Sequence, residues 1–233
     1  MREVQNRQIK QYFEDKGFTT KDDLIITEHA LDLIVNDAHH TTYYCTPSLL
    51  EELVIGNLAI NGVINKFSDL EFVDVKDDCI KVIVKENKSE KTQVQAADDF
   101  VISAKDALKL MNQHLDSSPL HKTTGGTHIM SLATVDEILF SCQDIGRHNA
   151  LDKLYGICLK NDIDISDKIL LSSGRMTHEM CYKAVQIGVK IILSRAAVSS
   201  LAIDLAEEFG LTIAGFTRVN RFNVYSNPQR IIE

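Results

Sequence analysis

The stretch Asp144-Ile-Gly-Arg-His-Asn-Ala-Leu-Asp-Lys153 decides how this chain is read. It follows an apolar, strand-like run, Glu137-Ile-Leu-Phe-Ser-Cys142. It opens into a helical pattern with Leu151, Leu154, Tyr155 and Cys158 at spacings of three and four. A strand that ends in Asp and Gly and hands over to Arg, His and Asn gathers polar side chains and free backbone amides at one strand end. Open α/β sheets bind ligands at such places. Taken alone, the stretch reads equally well as a helix start capped by Asp144 or Asn149.

Downstream of Pro119 the chain alternates between strand and helix patterns. Strands are predicted at 127–133, 137–142, 168–173, 190–194 and 211–216, and helices at 147–161, 176–188 and 198–209. That alternation implies a layered α/β sheet with an antiparallel pair across 127–142. Upstream, short β-like runs at Leu24–Thr27, Leu31–Val35, Thr41–Cys45, Leu70–Val75 and Cys79–Val84 surround one helix. It starts at Pro47 and stops at Asn61-Gly62. The organisation read from this is a loose polar arm at 1–20, a β-rich small lobe at 21–85, a polar linker at 86–102 and an α/β domain at 103–233. Ser103-Ala-Lys-Asp106, which resembles a capping box, opens the last of these.

With 233 residues and 44% hydrophobic content the chain is an ordered globular protein. No apolar run is long enough to span a membrane and the first twenty residues lack a signal-peptide core, so a cytoplasmic location is expected. A net charge of −8 argues against a general nucleic-acid surface. The five cysteines are widely spaced, with no Cys-x-x-Cys pair, which points to reduced thiols rather than disulfides or a zinc knot. Cys142, Cys158 and Cys181 fall in apolar patterns and read as core.

Six of the eight arginines (Arg147, Arg175, Arg195, Arg218, Arg221 and Arg230) lie after residue 146. Four glycine turns mark the strand ends of the same half: Thr124-Gly-Gly-Thr-His128, Asp144-Ile-Gly-Arg-His148, Ser172-Ser-Gly-Arg175 and Gly215-Phe-Thr-Arg-Val-Asn-Arg221. Glycine lets a backbone approach a ligand, exposed amides favour anions, and arginine binds phosphate oxygens in a fork. Together they predict a pocket for a phosphorylated ligand. None matches a P-loop or a GxGxxG fingerprint. His178-Glu179 lacks the second histidine of a zincin and no zinc-deaminase signature is present, so no metal site is expected. His128 and His148 suit an acid or base role, although hydrogen-bonded structural histidines are the commoner case.

Thr124-Gly-Gly-x-His128, the Asp144–Lys153 block, Ser173-Gly-Arg175, Gly215-Phe-x-Arg218 and Phe222-Asn-Val-Tyr225…Pro228-x-Arg-Ile231 resemble the FdhD/NarQ family. So do Cys45-Thr-Pro47 and Glu51-Glu-Leu-Val-Ile-Gly56 in the small lobe, and the resemblance runs from about residue 23 to the end. It implies a cytidine-deaminase-like layered α/β domain with a smaller β-rich lobe, and a homodimer. It also implies sulfur carriage from a cysteine desulfurase to formate dehydrogenase. The sulfur goes to the metal centre of Mo-bis(molybdopterin guanine dinucleotide), which is bound transiently. The family's cofactor segment falls on Phe216, Thr217, Arg218, Val219, Asn220 and Arg221. Ser173, Gly174, Arg175 and the Arg147–His148 turn are further candidates for the same pocket.

One departure bears on the chemistry. Family members carry a Cys-x-x-Cys pair on the loop before the helix leading to Thr-Gly-Gly, and a thiolate there holds the persulfide. Residues 86–102 contain no cysteine, and none occurs between Cys79 and Cys142. Two outcomes are open: Cys45 or Cys79 substitutes for the lost pair, or the chain is a non-catalytic relative that binds the dinucleotide or a guanine nucleotide as chaperone or regulator.

Overall fold

The computed structural model describes residues 1–86 and 100–233. The chain begins with a two-stranded antiparallel ribbon, β1 (Val4–Phe13) and β2 (Gly17–Ile26), paired over ten residues from Val4↔Ile26 to Phe13↔Gly17. The expectation of a loose arm at 1–20 is therefore corrected. Both faces of the ribbon are largely solvated, so the alternation that betrays a half-buried strand is missing from its sequence.

The small lobe is a four-stranded sheet built from β3 (His29–Val35), β4 (Ala38–Cys45), β5 (Leu70–Val75) and β6 (Cys79–Val84), in the order β4-β3-β6-β5. Leu31, Leu33, Tyr43, Cys45, Ile80 and Val82 alternate onto one face and pack on α1 (Leu50–Ile60). That helix buries Leu53, Val54, Ile55, Gly56, Leu58, Ala59 and Ile60, a continuous run rather than a stripe, because its other side is covered too.

The cover is α4 (Arg147–Lys160) of the large domain. The domain centres on a six-stranded sheet. Its strands are β8 (His128–Ala133), β9 (Ile138–Asp144), β10 (Ile169–Ser172), β11 (Ile191–Ser194), β12 (Thr212–Gly215) and β13 (Asn223–Ser226), in the order β13-β12-β11-β10-β8-β9. β10, β11 and β12 are parallel, and β8, β9 and β13 each run antiparallel to a neighbour. Met130, Leu132, Leu170, Ile192 and Ile213 face a layer of α4, α5 (His178–Ile187) and α6 (Ser200–Glu208). Ala133, Ile169, Leu171, Ile191, Leu193 and Ala214 face α2 (Ala104–Asp116), whose cap Ser103 accepts from the Asp106 amide as the sequence suggests. A short pair, β7 (Ile102–Ser103) with β14 (Ile231–Ile232), edges this second layer. Helix α3 (Pro119–Thr124) was not predicted; it buries nothing and leaves no apolar pattern to read. Most of the 86–102 linker, residues 87–99, lies outside the described residues.

The two lobes are locked by backbone contact and by buried charge. A Cβ on Gly56 of α1 would lie 1.9 Å from the Asp152 carbonyl oxygen, and one on Gly156 of α4 would lie 2.0 Å from that of Glu52. Only glycine permits so close a crossing. Beside it, Asn57 and Lys183 both donate to the buried Asp152 carboxylate, at 2.8 Å and 2.5–2.7 Å, joining α1, α4 and α5.

Deeper still, the fully buried Lys153 ammonium donates to Asp144 Oδ2 (2.6 Å), Thr46 Oγ1 (2.8 Å) and the Thr46 carbonyl (3.0 Å). Asp144 also accepts from the Thr46 amide and hydroxyl, and its second oxygen accepts from the Gly146 amide and Asn149 Nδ2. All three donors of the lysine are used, so the pair is satisfied in a dry site. Removing one partner leaves an uncompensated charge. Lys153→Met should therefore lower the unfolding free energy by about 3–5 kcal/mol in urea titration, and Gly156→Ala should also destabilise by prising α1 from α4.

Candidate functional site

The carboxyl ends of β10, β11 and β12 lie along one edge of the large sheet. Because β8 and β9 run antiparallel, the start of β8 and the end of β9 fall at the same edge, with His128 paired to Asp144. All four predicted glycine turns thus converge there. Successive strand ends are stitched to one another. The Arg195 amide donates to the Ser172 carbonyl (2.8 Å), Thr217 to Ser194 (3.0 Å) and Phe216 to Ala196 (2.9 Å). Ser194 Oγ donates to the Gly174 carbonyl (2.9 Å), and Ser173 Oγ accepts from the Ile129 amide (2.9 Å). A Cβ on Gly174 would stand 3.1 Å from His128 Nδ1 and 3.5 Å from Arg147 Cβ, so glycine lets those two side chains close on the turn.

The cofactor segment named in the sequence is a tight turn. Arg218 donates through its amide to the Arg221 carbonyl at 2.7 Å. Phe216 sits at φ 49°, the left-handed region, which is costly for a bulky side chain and tolerated here by the surrounding bonds. Thr217 is buried, whereas Val219, Asn220 and Arg221 are exposed. Arg195 Nη1 donates to the Thr217 carbonyl (2.9 Å). Arg218 Nη1 donates to the carbonyls of Arg195 and Thr217, and its guanidinium stands 5.7 Å from the Phe216 ring centre. Arg218 therefore braces the turn, while Arg175 and Arg221 stand out in solvent.

Charge at this edge is unbalanced. Among the described residues no carboxylate lies within ion-pairing distance of Arg147, Arg175, Arg195, Arg218 or Arg221, although the chain carries 33 acidic residues. Surface salt bridges are thus not what these arginines are for. Burial, and then the Arg218 charge, lower the Arg195 guanidinium from its ordinary value. Burial, followed by Arg147, His121 and Arg175, pushes the His128 imidazole down and keeps it neutral. Three polar atoms here are buried with no partner: Arg147 Nε, Thr127 Oγ1 and Thr217 Oγ1.

A cleft of about 370 Å³ opens beside them, lined by Leu115, His121, Thr127, His128, Ser173 and Arg195. Hydroxyls, amides and guanidiniums with no carboxylate or thiol suit phosphate oxygens and an attached ring rather than a metal ion. A larger cleft of about 590 Å³ lies between Asn65–Ser68 and the far end of α4. It holds none of the glycine turns and none of these arginines, so size does not make it the better candidate.

Arg195, His121 and Thr127 were not assigned to the site from sequence. Arg195 follows a strand end without glycine, and the other two are brought in by α3 and the turn after it. His148 parts from Arg147: it lies 3.5 Å from Glu179 in a separate cleft with Ile60, Asn61, Tyr182 and Lys183. Of the cysteines, Cys45, Cys142, Cys158 and Cys181 are buried. Burial pushes the Cys45 thiol up to about 11 against the pull of Lys153, and raises Cys142 and Cys158 to about 12. Neither a nucleophilic thiolate nor access remains at Cys45. Cys79 is half-buried, on the side of β6 that carries Lys81, away from the core-facing Ile80 and Val82.

The fold and this edge define an α/β binding protein for an anionic ligand. The chain belongs to the FdhD/NarQ family, which matches residues 26–97 and 85–232 in two stretches that meet at the short linker. It is 37% identical to the sulfur carrier protein FdhD of Bacillus pumilus (strain SAFR-032), covering 99% of this chain and 98% of that one. Against the Bacillus subtilis (strain 168) protein of the same name it is 37% identical, covering 95% of each. The first alignment runs over 258 positions, at least 25 more than the 233 residues here, so the relative carries segments this chain lacks. A crystal structure described as a formate dehydrogenase accessory protein from Desulfotalea psychrophila superposes with a TM-score of 0.86 at 26% identity, covering 98% of this chain and 99% of the other.

Beneath the cleft, His114 is fully buried, bonded through Nδ1 to Ser131 Oγ at 2.7 Å, and burial together with His121 lowers its pKa to about 3. The unfolded chain protonates a histidine near pH 6.5, so unfolding takes up a proton throughout the window between those values. Stability falls as pH drops from about 6.5 towards 3, by at most about 1.36 kcal/mol per pH unit from this residue. Urea titrations across that range should show the slope reduced in His114→Gln.

Proposed function

We propose that this protein is a formate dehydrogenase accessory protein of the sulfur-carrier kind. Its arginine edge holds Mo-bis(molybdopterin guanine dinucleotide) as transient cargo in the cytoplasm. One observation carries the reading: five arginines at one sheet edge lack carboxylate partners while three buried polar atoms beside them lack any. A dinucleotide supplies what that edge is missing. Diphosphate oxygens would meet the free N–H groups of Arg195, Arg218 and Arg147 and the Thr217 hydroxyl. A heteroaromatic ring would enter the cleft between Leu115, His121 and His128, within reach of Thr127 Oγ1.

The names of the curated relatives supply the direction of the chemistry, with a cysteine desulfurase as donor and formate dehydrogenase as client. A homodimer is expected as well. In such a transfer a thiolate attacks the donor's persulfide, takes its outer sulfur and releases the donor's thiolate. The half-buried Cys79 is the thiol best placed to do so here.

The four buried thiols favour a second reading, a non-catalytic relative that binds the dinucleotide as chaperone or regulator. Intact mass spectrometry after incubation with a cysteine desulfurase and cysteine separates the two. On the carrier reading a reductant-sensitive gain of one sulfur appears, persists in Cys45→Ser and vanishes in Cys79→Ser. No gain, with nucleotide binding retained, leaves the second reading. Binding itself is tested with Arg175→Ala plus Arg221→Ala, which touches no bracing contact. Calorimetry with guanosine diphosphate should show at least tenfold weaker affinity, roughly 1.4 kcal/mol, at an unchanged melting temperature; unchanged affinity overturns the site.

A further inference from the structure

The ribbon β1–β2 has no evident reason to be folded as it stands. An isolated two-stranded hairpin is marginal in water, and this one forms a sheet of its own. It is held at its foot. The Thr27 amide donates to the Glu3 carbonyl (2.8 Å), Ser48 Oγ donates to the Glu3 carboxylate (2.7 Å), and Ile26 packs against Gly126 beyond α3. Beyond that foot, ten residues per strand at about 3.4 Å each carry it roughly 34 Å. Large apolar side chains stay in water along its length: Tyr12 is 61% exposed, Phe18 72% and Leu24 43%.

The pairing register sorts these residues. One face carries Val4 opposite Ile26, Asn6 opposite Leu24, Gln8 opposite Asp22, Lys10 opposite Thr20 and Tyr12 opposite Phe18. It is apolar at the foot, aromatic at the tip, where the two rings lie 5.2 Å apart, and charged between with one lysine and one aspartate. A two-fold axis through the Gln8–Asp22 level lays one such face antiparallel on another. The tip rings then meet the partner copy's foot. Each Lys10 comes within one level, about 7 Å along the strand, of the other copy's aspartate.

We propose that this face of the N-terminal ribbon is the contact surface for a second copy of the chain. The inference locates the contact of the expected homodimer and is independent of what the arginine edge binds. A ribbon face of about 34 by 10 Å offers less than the roughly 800 Å² per partner of a standard interface. The dimer is therefore weak, and each tip also reaches the body around the other copy's α3.

Sedimentation of the full chain over the micromolar range tests this. The wild type should shift from monomer to dimer with concentration, and Tyr12→Asp plus Phe18→Asp, both on exposed side chains, should stay monomeric with an unchanged melting temperature. Lys10→Asp and Asp22→Lys each place like charges in register and should be monomeric alone, whereas their equimolar mixture should dimerise. A wild type that is monomeric throughout overturns both the homodimer and the ribbon contact. A tip variant that still dimerises, or a mixture of the charge variants that does not, overturns the ribbon contact alone.

Discussion

A single buried ion pair organises this molecule. Lys153 and Asp144 sit nine residues apart on α4 and β9, yet what they grip is Thr46, at the end of the small lobe's β4. Taking two charges out of water costs several kcal/mol per ion, and only a fully saturated set of hydrogen bonds makes the arrangement tolerable. Here the lysine's three donors and both carboxylate oxygens are used. The same carboxylate that ties the lobes together accepts from the Gly146 amide and so shapes the turn that starts α4. The lock between the lobes and the shape of the binding edge are thus one piece of chemistry, with the glycine crossing of α1 and α4 as its steric counterpart.

From that turn onward the edge is a problem of positive charge. Arg147 closes on Gly174, Arg195 and Arg218 brace one another's loops through backbone carbonyls, and no acidic side chain is supplied to neutralise them. Their mutual repulsion persists because each guanidinium is held by carbonyl oxygens rather than by a counter-ion, leaving further N–H groups free. A left-handed Phe216 at the bend is consistent with strain concentrated where a ligand would bind. The proposed phosphorylated cargo supplies the missing negative charge, and the neutral histidines line its other side without adding to the repulsion.

Carrier chemistry and binding chemistry have come apart in this chain. The binding edge retains the residues that resemble the family, whereas four of five thiols are closed in cores that raise their pKa. A thiol buried among apolar side chains is a small hydrophobe, and only its exposure and a nearby positive charge make it a nucleophile. Cys45 has the charge, from Lys153, but not the exposure.

Much of this was legible in the sequence. The alternating strands and helices after Pro119, the glycine turns and the core cysteines follow from local periodicity and turn chemistry, which act over a few residues. The convergence of four turns was also foreseeable, because parallel strands must bring their carboxyl ends to one edge. Tertiary structure alone decided the rest. Thr46 meets Asp144 across 98 residues, and no local signal records a contact of that span. Arg195 joins the site because its strand lies between two glycine turns, not because its own neighbours announce it. The ribbon at the amino end escaped notice because solvent covers both its faces, and an element that buries nothing writes no hydrophobic pattern. Local physics determined which segments form strands, helices and turns. Burial and charge, acting between distant segments, determined which of them form a site.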